Sequence, residues 1–175
     1  MSKKETGEVR EQRKLFFQAA LSKSLDCLPQ RLLIGDKQNG PTIVFEPERV
    51  LWDCRSLIQP GSSDTVLHVA ARNGNLNFIR FVLEYFNLNH LLTAANQDGK
   101  CPLHEAAQNL QCEVAQYLID HGTSVDALKR ADWTPLMLAC TRNDNEAMVG
   151  LLLRKGARAT LRNKDGWTPF HIATR

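Results

Sequence analysis

Thr134-Pro135-Leu136-Met137-Leu138-Ala139-Cys140 has three near-copies in this chain. They are Thr65-Val66-Leu67-His68-Val69-Ala70-Ala71, Cys101-Pro102-Leu103-His104-Glu105-Ala106-Ala107 and Thr168-Pro169-Phe170-His171-Ile172-Ala173-Thr174. Aligned on Ala70, Ala106, Ala139 and Ala173, the blocks recur at spacings of 36, 33 and 34 residues. A fixed period in that range marks a solenoid of stacked helix pairs. Such arrays are usually binding surfaces.

Working outward from one block gives the physics of a repeat. Asp98-Gly99 is a turn signal, because glycine reaches the positive φ of a tight hairpin tip. Pro102 suits the first turn of a helix, where a missing N–H costs nothing. Leu103, Ala106 and Ala107 form a short apolar stripe, and the small alanines let a neighbouring helix approach. Val114, Ala115, Tyr117, Leu118 and Ile119 predict a second helix, ended by His121-Gly122. The first repeat supplies Leu76, Phe78, Ile79, Val82 and Leu83, with Gly74 between its helices. The third supplies Met148, Val149, Leu151, Leu152 and Leu153, ended by Lys155-Gly156. No repeat buries both faces alone, so stability is a sum of repeat and interface terms.

The block resembles the ankyrin repeat, whose signature is Thr-Pro-Leu-His-x-Ala-Ala. Two blocks carry Thr-Pro, a third Cys-Pro, and three of the four carry the histidine. The resemblance covers residues 62–175. It implies an all-α solenoid of helix-turn-helix units joined by β-hairpin loops, working as a protein-binding module rather than an enzyme. It divides the chain into a disordered start at 1–12, a divergent helical cap with an insertion at 13–61, repeats at 62–97, 98–130 and 131–164, and an incomplete repeat at 165–175. Within the cap, helical stretches fall between Val9 and Leu33 and between Glu46 and Ile58. His68, His104 and His171 recur at one motif position. The family uses this histidine as an internal hydrogen-bonding prop, and Met137 replaces it once, which a metal-ligand set would not tolerate.

Composition sets bounds. The chain has 175 residues, 43% of them hydrophobic, with a net charge of +3. Its apolar runs are too short to span a bilayer, and Met1-Ser2-Lys3-Lys4-Glu5 leads into charge, not an apolar signal core. Cys27, Cys54, Cys101, Cys112 and Cys140 are odd in number without Cys-x-x-Cys spacing, which argues against zinc and more strongly against a disulfide framework. No metal or other cofactor is expected. A reduced cytoplasmic or nuclear protein is the simplest account. Residues 61–127 carry 3 basic and 7 acidic side chains, whereas residues 128–175 carry 9 and 4. That positive field suits an acidic partner or nucleic acid; a solvated basic face is the alternative. No Gly-rich phosphate loop and no Ser/His/Asp or Cys/His pattern survives the repeat explanation.

The family's partner-facing positions are the hairpin tips and the exposed ends of the first helices. Carried over, they select Gln97, Lys100, Gln108 and Asn109, then Arg130, Trp133, Thr141 and Arg142, then Lys164, Trp167, Thr174 and Arg175. Trp133 and Trp167 stand one repeat apart, each preceded by Arg130 or Lys164. Tryptophan beside arginine is the composition of a binding hot spot; packing of each indole on its neighbouring hairpin is the alternative, and both can hold. Asp132 stands where other hairpins have Gly99 and Gly166, and tolerates left-handed backbone better than most residues.

Leu128–Arg142, Arg162–Trp167 and Pro102–Ala107 go beyond the generic repeat and resemble a branch of the family concerned with translation fidelity. That resemblance implies alanyl-tRNA synthetase as partner, with lysines accepting misactivated serine. The matching candidates are Lys129 and Lys164; Arg130, in the place equivalent to Lys164, is no nucleophile. For each lysine a solvated surface charge is the alternative. Two other functions stand beside this one: a generic scaffold for another protein, and an RNA-binding surface of Trp133, Trp167 and nearby bases. The fourth repeat stops after its first helix, leaving Phe170, Ile172 and Ala173 without an outer partner. The expectation is a fragment of a longer array, of low stability alone. Chemical denaturation measures this, and a cooperative transition at ordinary domain stability would contradict it.

Overall fold

The computed structural model describes residues 14, 16–21, 58–59, 61–86 and 88–175. The stretch 1–12, expected to be disordered, and nearly all of the expected cap lie outside them. Among the described residues from Val66 onward there are seven α-helices, six of them in antiparallel pairs: α1 (Val66–Asn73) with α2 (Leu76–Phe86), α3 (Pro102–Gln108) with α4 (Cys112–Asp120), and α5 (Pro135–Ala139) with α6 (Glu146–Arg154), followed by a single α7 (Pro169–Ala173). First helices pack on first helices, α1 on α3 on α5 on α7, and second helices on second helices, α2 on α4 on α6. This is the expected all-α solenoid.

Each repeat forms for local reasons. Thr65, Cys101, Thr134 and Thr168 are extended at the helix N-cap, and proline opens α3, α5 and α7. Gly74 ends α1 with left-handed backbone, φ 71°. Ala70, Ala71, Ala106, Ala107 and Ala139 are fully buried between first helices, beside Leu67, Leu103 and Leu136. Phe78, Ile79, Val114, Leu118, Met148 and Leu152 fill the layer between first and second helices. Each such aliphatic side chain contributes roughly 1.5–3 kcal/mol by leaving water.

Some expectations need correction. Leu153 is 45% exposed and points away from the core, and Tyr117 and Ile119 are only half-buried. Among the described residues the loops hold no strands, only isolated bridges such as Lys129 with Trp133. Phe170 is indeed 73% exposed, but Ile172 is buried.

The third hairpin is built differently from its neighbours. In the second, Asn96 Oδ1 accepts the N–H groups of Asp98 and Lys100, both at 3.0 Å. In the fourth, Asn163 Oδ1 accepts those of Asp165 and Trp167, at 3.0 and 2.8 Å. Lys129 occupies that place in the third hairpin and has no acceptor to offer. Both Ala131 and Asp132 there are left-handed, at φ 62° and 61°. Asp132, standing in a glycine's place, tolerates this conformation; nothing in the sequence marks Ala131 for it. Left-handed backbone costs a non-glycine residue about 1–2 kcal/mol.

Polar ties cross the repeat junctions. Each hairpin tip donates one backbone N–H to the tip before it: Gln97 to Ser62 O, Arg130 to Asp98 O and Lys164 to Ala131 O, at 3.0, 3.3 and 3.0 Å. The signature histidines add more. The Thr65 N–H donates to His68 Nδ1 at 3.1 Å, and His68 Nε2 lies 2.8 Å from Lys100 O. His104 repeats this with the Cys101 N–H at 3.1 Å and Trp133 O at 3.3 Å. An Nδ1 that accepts and an Nε2 facing a carbonyl fix the neutral Nε2–H tautomer. The prop therefore reaches into the next repeat, beyond its own.

A buried charge network joins the first two repeats on the hairpin side. Arg72 donates to Asp64 at 2.8 Å and to Glu105 at 2.9 Å. Lys100 Nζ lies 3.2 Å from Glu105 and donates to Gln108 Oε1 at 2.6 Å. Asp64 and Glu105 are each only 3% exposed. Burial alone would push both carboxyls up, but hydrogen bonds and charge override it and hold both below the usual range. Asn96 and Arg72 act on Asp64, and Arg72 and Lys100 on Glu105.

Two outcomes follow. Burial drives His104 down from 6.5 to about 4. The unfolded chain then binds the extra proton first, so this contribution is complete above pH 6.5 and is lost as pH falls toward 4. Denaturant titrations across that window should show roughly 3 kcal/mol of acid destabilisation from this group, flattened in His104→Asn. Arg72→Ala removes the cation shared by two buried carboxylates, leaving Glu105 with Lys100 and Asp64 with Asn96, and should cost roughly 3 kcal/mol, the low end for breaking a buried pair, because Arg72 keeps 39% of its side chain in water. An unchanged denaturation midpoint would refute that account.

Candidate functional site

The hairpins and the C-terminal ends of α1, α3 and α5 form one face with two neighbouring hollows. The first, about 410 Å3, is polar and is lined by Arg72, Lys100, Glu105, Gln108, Asn109 and Arg142, with Asp64 and Asp98. The second, about 370 Å3, is a largely carbon-walled cleft between Trp133 and Trp167, completed by Thr141, Asn163, Asp165, Ile172 and Arg175. Thr141 lines the cleft and Arg142 the polar hollow, so the two adjoin along the face.

Most of the residues expected at a binding face divide between these hollows. Lys100 and Asn109 line the first, yet neither is free: Lys100 is held by Glu105 and Gln108, and Asn109 Nδ2 donates to Glu105 O at 2.9 Å. Arg142 donates its Nε to Gln108 O at 2.8 Å while the rest of the side chain is exposed. Trp133 and Trp167 face the cleft, half-buried. Each also carries a cation, Lys129 Nζ 5.4 Å from the Trp133 ring centre and the Arg175 guanidinium 4.8 Å from that of Trp167. Packing and display thus occur together. Arg130 and Lys164 are exposed on the tips and line neither hollow.

The two candidate acceptor lysines stand in different surroundings. Lys129 is half-buried; burial first, and the nearby Lys100 charge second, lower its ammonium below the ordinary lysine value. Lys164 is exposed, and its backbone N–H donates to Ala131 O.

Several residues of this face escaped the sequence reading: Asp64, Arg72 and Glu105 in the polar hollow, and Asp165 and Ile172 in the cleft. The positional rule that reached Gln108 and Asn109 would have reached Arg72 if applied to the first repeat. Glu105 occupies the variable site of the signature, where an acidic residue gives no hint of its partners. Chemically, the face offers aromatic surface, a bound guanidinium and an ion network. The described residues hold no cluster of histidine, cysteine and carboxylates able to bind a metal. Cys101, Cys112 and Cys140 are free thiols, all pushed up by burial. No described helix is long and apolar enough to cross a membrane.

Comparison with known proteins agrees with this architecture. Residues 16–129 match the family described as "Ankyrin repeats (3 copies)", and residues 118–173 match "Ankyrin repeats (many copies)". Among curated relatives, the human transient receptor potential cation channel subfamily A member 1 is 33% identical over 111 residues, 63% of this chain and 10% of the channel. Alpha-latrotoxin-Lt1a of Latrodectus tredecimguttatus is 33% identical over 113 residues, 63% of this chain and 8% of the toxin. Tyrosine-protein kinase HTK16 of Hydra vulgaris is 27% identical over 112 residues, 63% of this chain and 15% of the kinase. The chain therefore spans a small fraction of these relatives. The period, the paired helices and the family match agree, and the chain belongs to the ankyrin repeat family.

Proposed function

We propose that this module binds its protein partner along the face of the two hollows, and that the partner is alanyl-tRNA synthetase. The observation that supports a binding role is the Trp133–Trp167 cleft beside Arg142, a combination enriched at interaction hot spots. The choice of partner rests on the likeness of Leu128–Arg142, Arg162–Trp167 and Pro102–Ala107 to ankyrin repeat domain-containing protein 16. In that reading the chain limits serine mischarging in the cytoplasm or nucleus, and its lysines trap serine that the synthetase has wrongly activated. It acts as an acceptor, not as an enzyme that turns over.

The chemistry needs a neutral amine. Lysine Nζ attacks the carbonyl carbon of seryl-adenylate, an amide forms, AMP leaves and the attacking nitrogen gives up a proton. Lys129 fits best, because its lowered ammonium value raises the neutral fraction at working pH. Lys164 depends on proximity alone. The RNA-binding alternative is less favoured, since Lys129 and Arg175, the cations beside the indoles, lie over the rings rather than projecting freely toward a phosphate backbone.

Incubating the chain with alanyl-tRNA synthetase, ATP and serine should add a seryl group to the peptide bearing Lys129, seen by intact mass and peptide mapping. Lys129→Arg should remove most of that label without loss of binding. Unmodified lysines under conditions where seryl-adenylate accumulates would eliminate the acceptor role.

A further inference from the structure

The junction of the two hollows specifies the partner's chemistry more narrowly. On one side the cleft presents two half-buried indoles and the buried Ile172. Desolvated aromatic surface of this kind favours a flat apolar side chain, through offset or edge contacts. On the other side stands Arg142. Its Nε bond to Gln108 O fixes the guanidinium, while its two terminal NH2 groups have no partner among the described residues. A held guanidinium with free N–H groups suits a carboxylate. The other two cations of the polar hollow are engaged, Arg72 by Asp64 and Glu105, and Lys100 by Glu105 and Gln108. Nearby, Lys129, Arg130, Lys164 and Arg175 outnumber Asp98, Asp132 and Asp165, so an acidic segment is drawn to this surface and a basic one repelled.

Resting on the protein-binding reading above, we propose that this face recognises a partner segment carrying an aromatic side chain next to a glutamate or aspartate. The ring enters the Trp133–Trp167 cleft and the carboxylate pairs with Arg142. Thr141 and Arg142 are consecutive, so one cleft and one cation read neighbouring positions of an extended segment. Either feature alone meets half the site.

The test uses the whole chain and three Gly/Ser peptides that differ at two positions, holding Phe-Glu, Ala-Glu or Phe-Gln. Calorimetric titration should give Phe-Glu an affinity about tenfold above each of the others, a difference of about 1.4 kcal/mol. Arg142→Gln should abolish the preference for Glu over Gln and keep that for Phe over Ala. Trp167→Ala should do the reverse. In the wild-type chain, NMR signals of the Trp133 and Trp167 indole N–H groups should shift with Phe-Glu and stay in place with Ala-Glu, a readout that needs no variant. Equal binding of the three peptides, no binding at millimolar concentration, or preferences that survive both substitutions would overturn the proposal. So would indole shifts with a single-stranded oligouridine but with no peptide. Unchanged synthetase binding by both variants would remove this inference and leave the partner reading intact; the expected peptide ranking without synthetase binding would do the opposite.

Discussion

The array depends on one neutral imidazole used twice. In His68 and His104, Nδ1 receives the backbone N–H that opens its own first helix, and Nε2–H reaches the carbonyl of the next repeat's hairpin. Local helix capping and stacking thereby share a side chain. The arrangement works only without charge, because a second proton would set two donors against each other. Burial enforces that state. Around it, the alanines bring first helices close enough for the carbonyl to come within reach. Replacing threonine by Cys101 preserves the device: Sγ lies 3.1 Å from His104 Nδ1, where Thr65 Oγ1 lies 2.9 Å from His68 Nδ1.

The hairpin side changes character from one repeat to the next. Between the first and second, charges are turned inward: Asp64 and Glu105 are neutralised by Arg72 and Lys100, leaving a polar hollow whose groups are mostly satisfied. Buried ion sets of this type often add little net stability over apolar packing; they do fix which surfaces meet. Between the third and fourth repeats the same side is aromatic and positively charged. The first region holds the register, and the second leaves two half-buried indoles and one oriented guanidinium open to solvent.

Much of this was legible in the sequence. The period, the Thr-Pro steps, the glycine stops and the alanine pairs fixed the helices and their stacking, because each answers to a local steric or capping rule. The prominence of Trp133, Trp167 and Arg142 was also legible, since equivalent positions in successive repeats share one face. The forward reach of His68 and His104 was not, because a motif read within one repeat says nothing about acceptors in the next. Nor was the occupation of Lys100, whose partner Glu105 lies at a site the signature leaves open. Leu153 shows the reverse error: an apolar residue in a run of leucines that the helical period turns outward.

The third hairpin shows what one departure from the pattern brings. Lys129 stands in for the asparagine that knits the neighbouring tips, and Ala131 and Asp132 take up unfavourable backbone in its place. Met137 likewise replaces the imidazole, so the junction after it lacks that forward polar clasp. The solenoid thus has a grain: among the described residues, polar side-chain ties cross the first two junctions, and the last is held by apolar packing and the Lys164 N–H bond to Ala131 O. Under strain the described array will part there first, which puts its most pliable joint beside the cleft of Trp133 and Trp167.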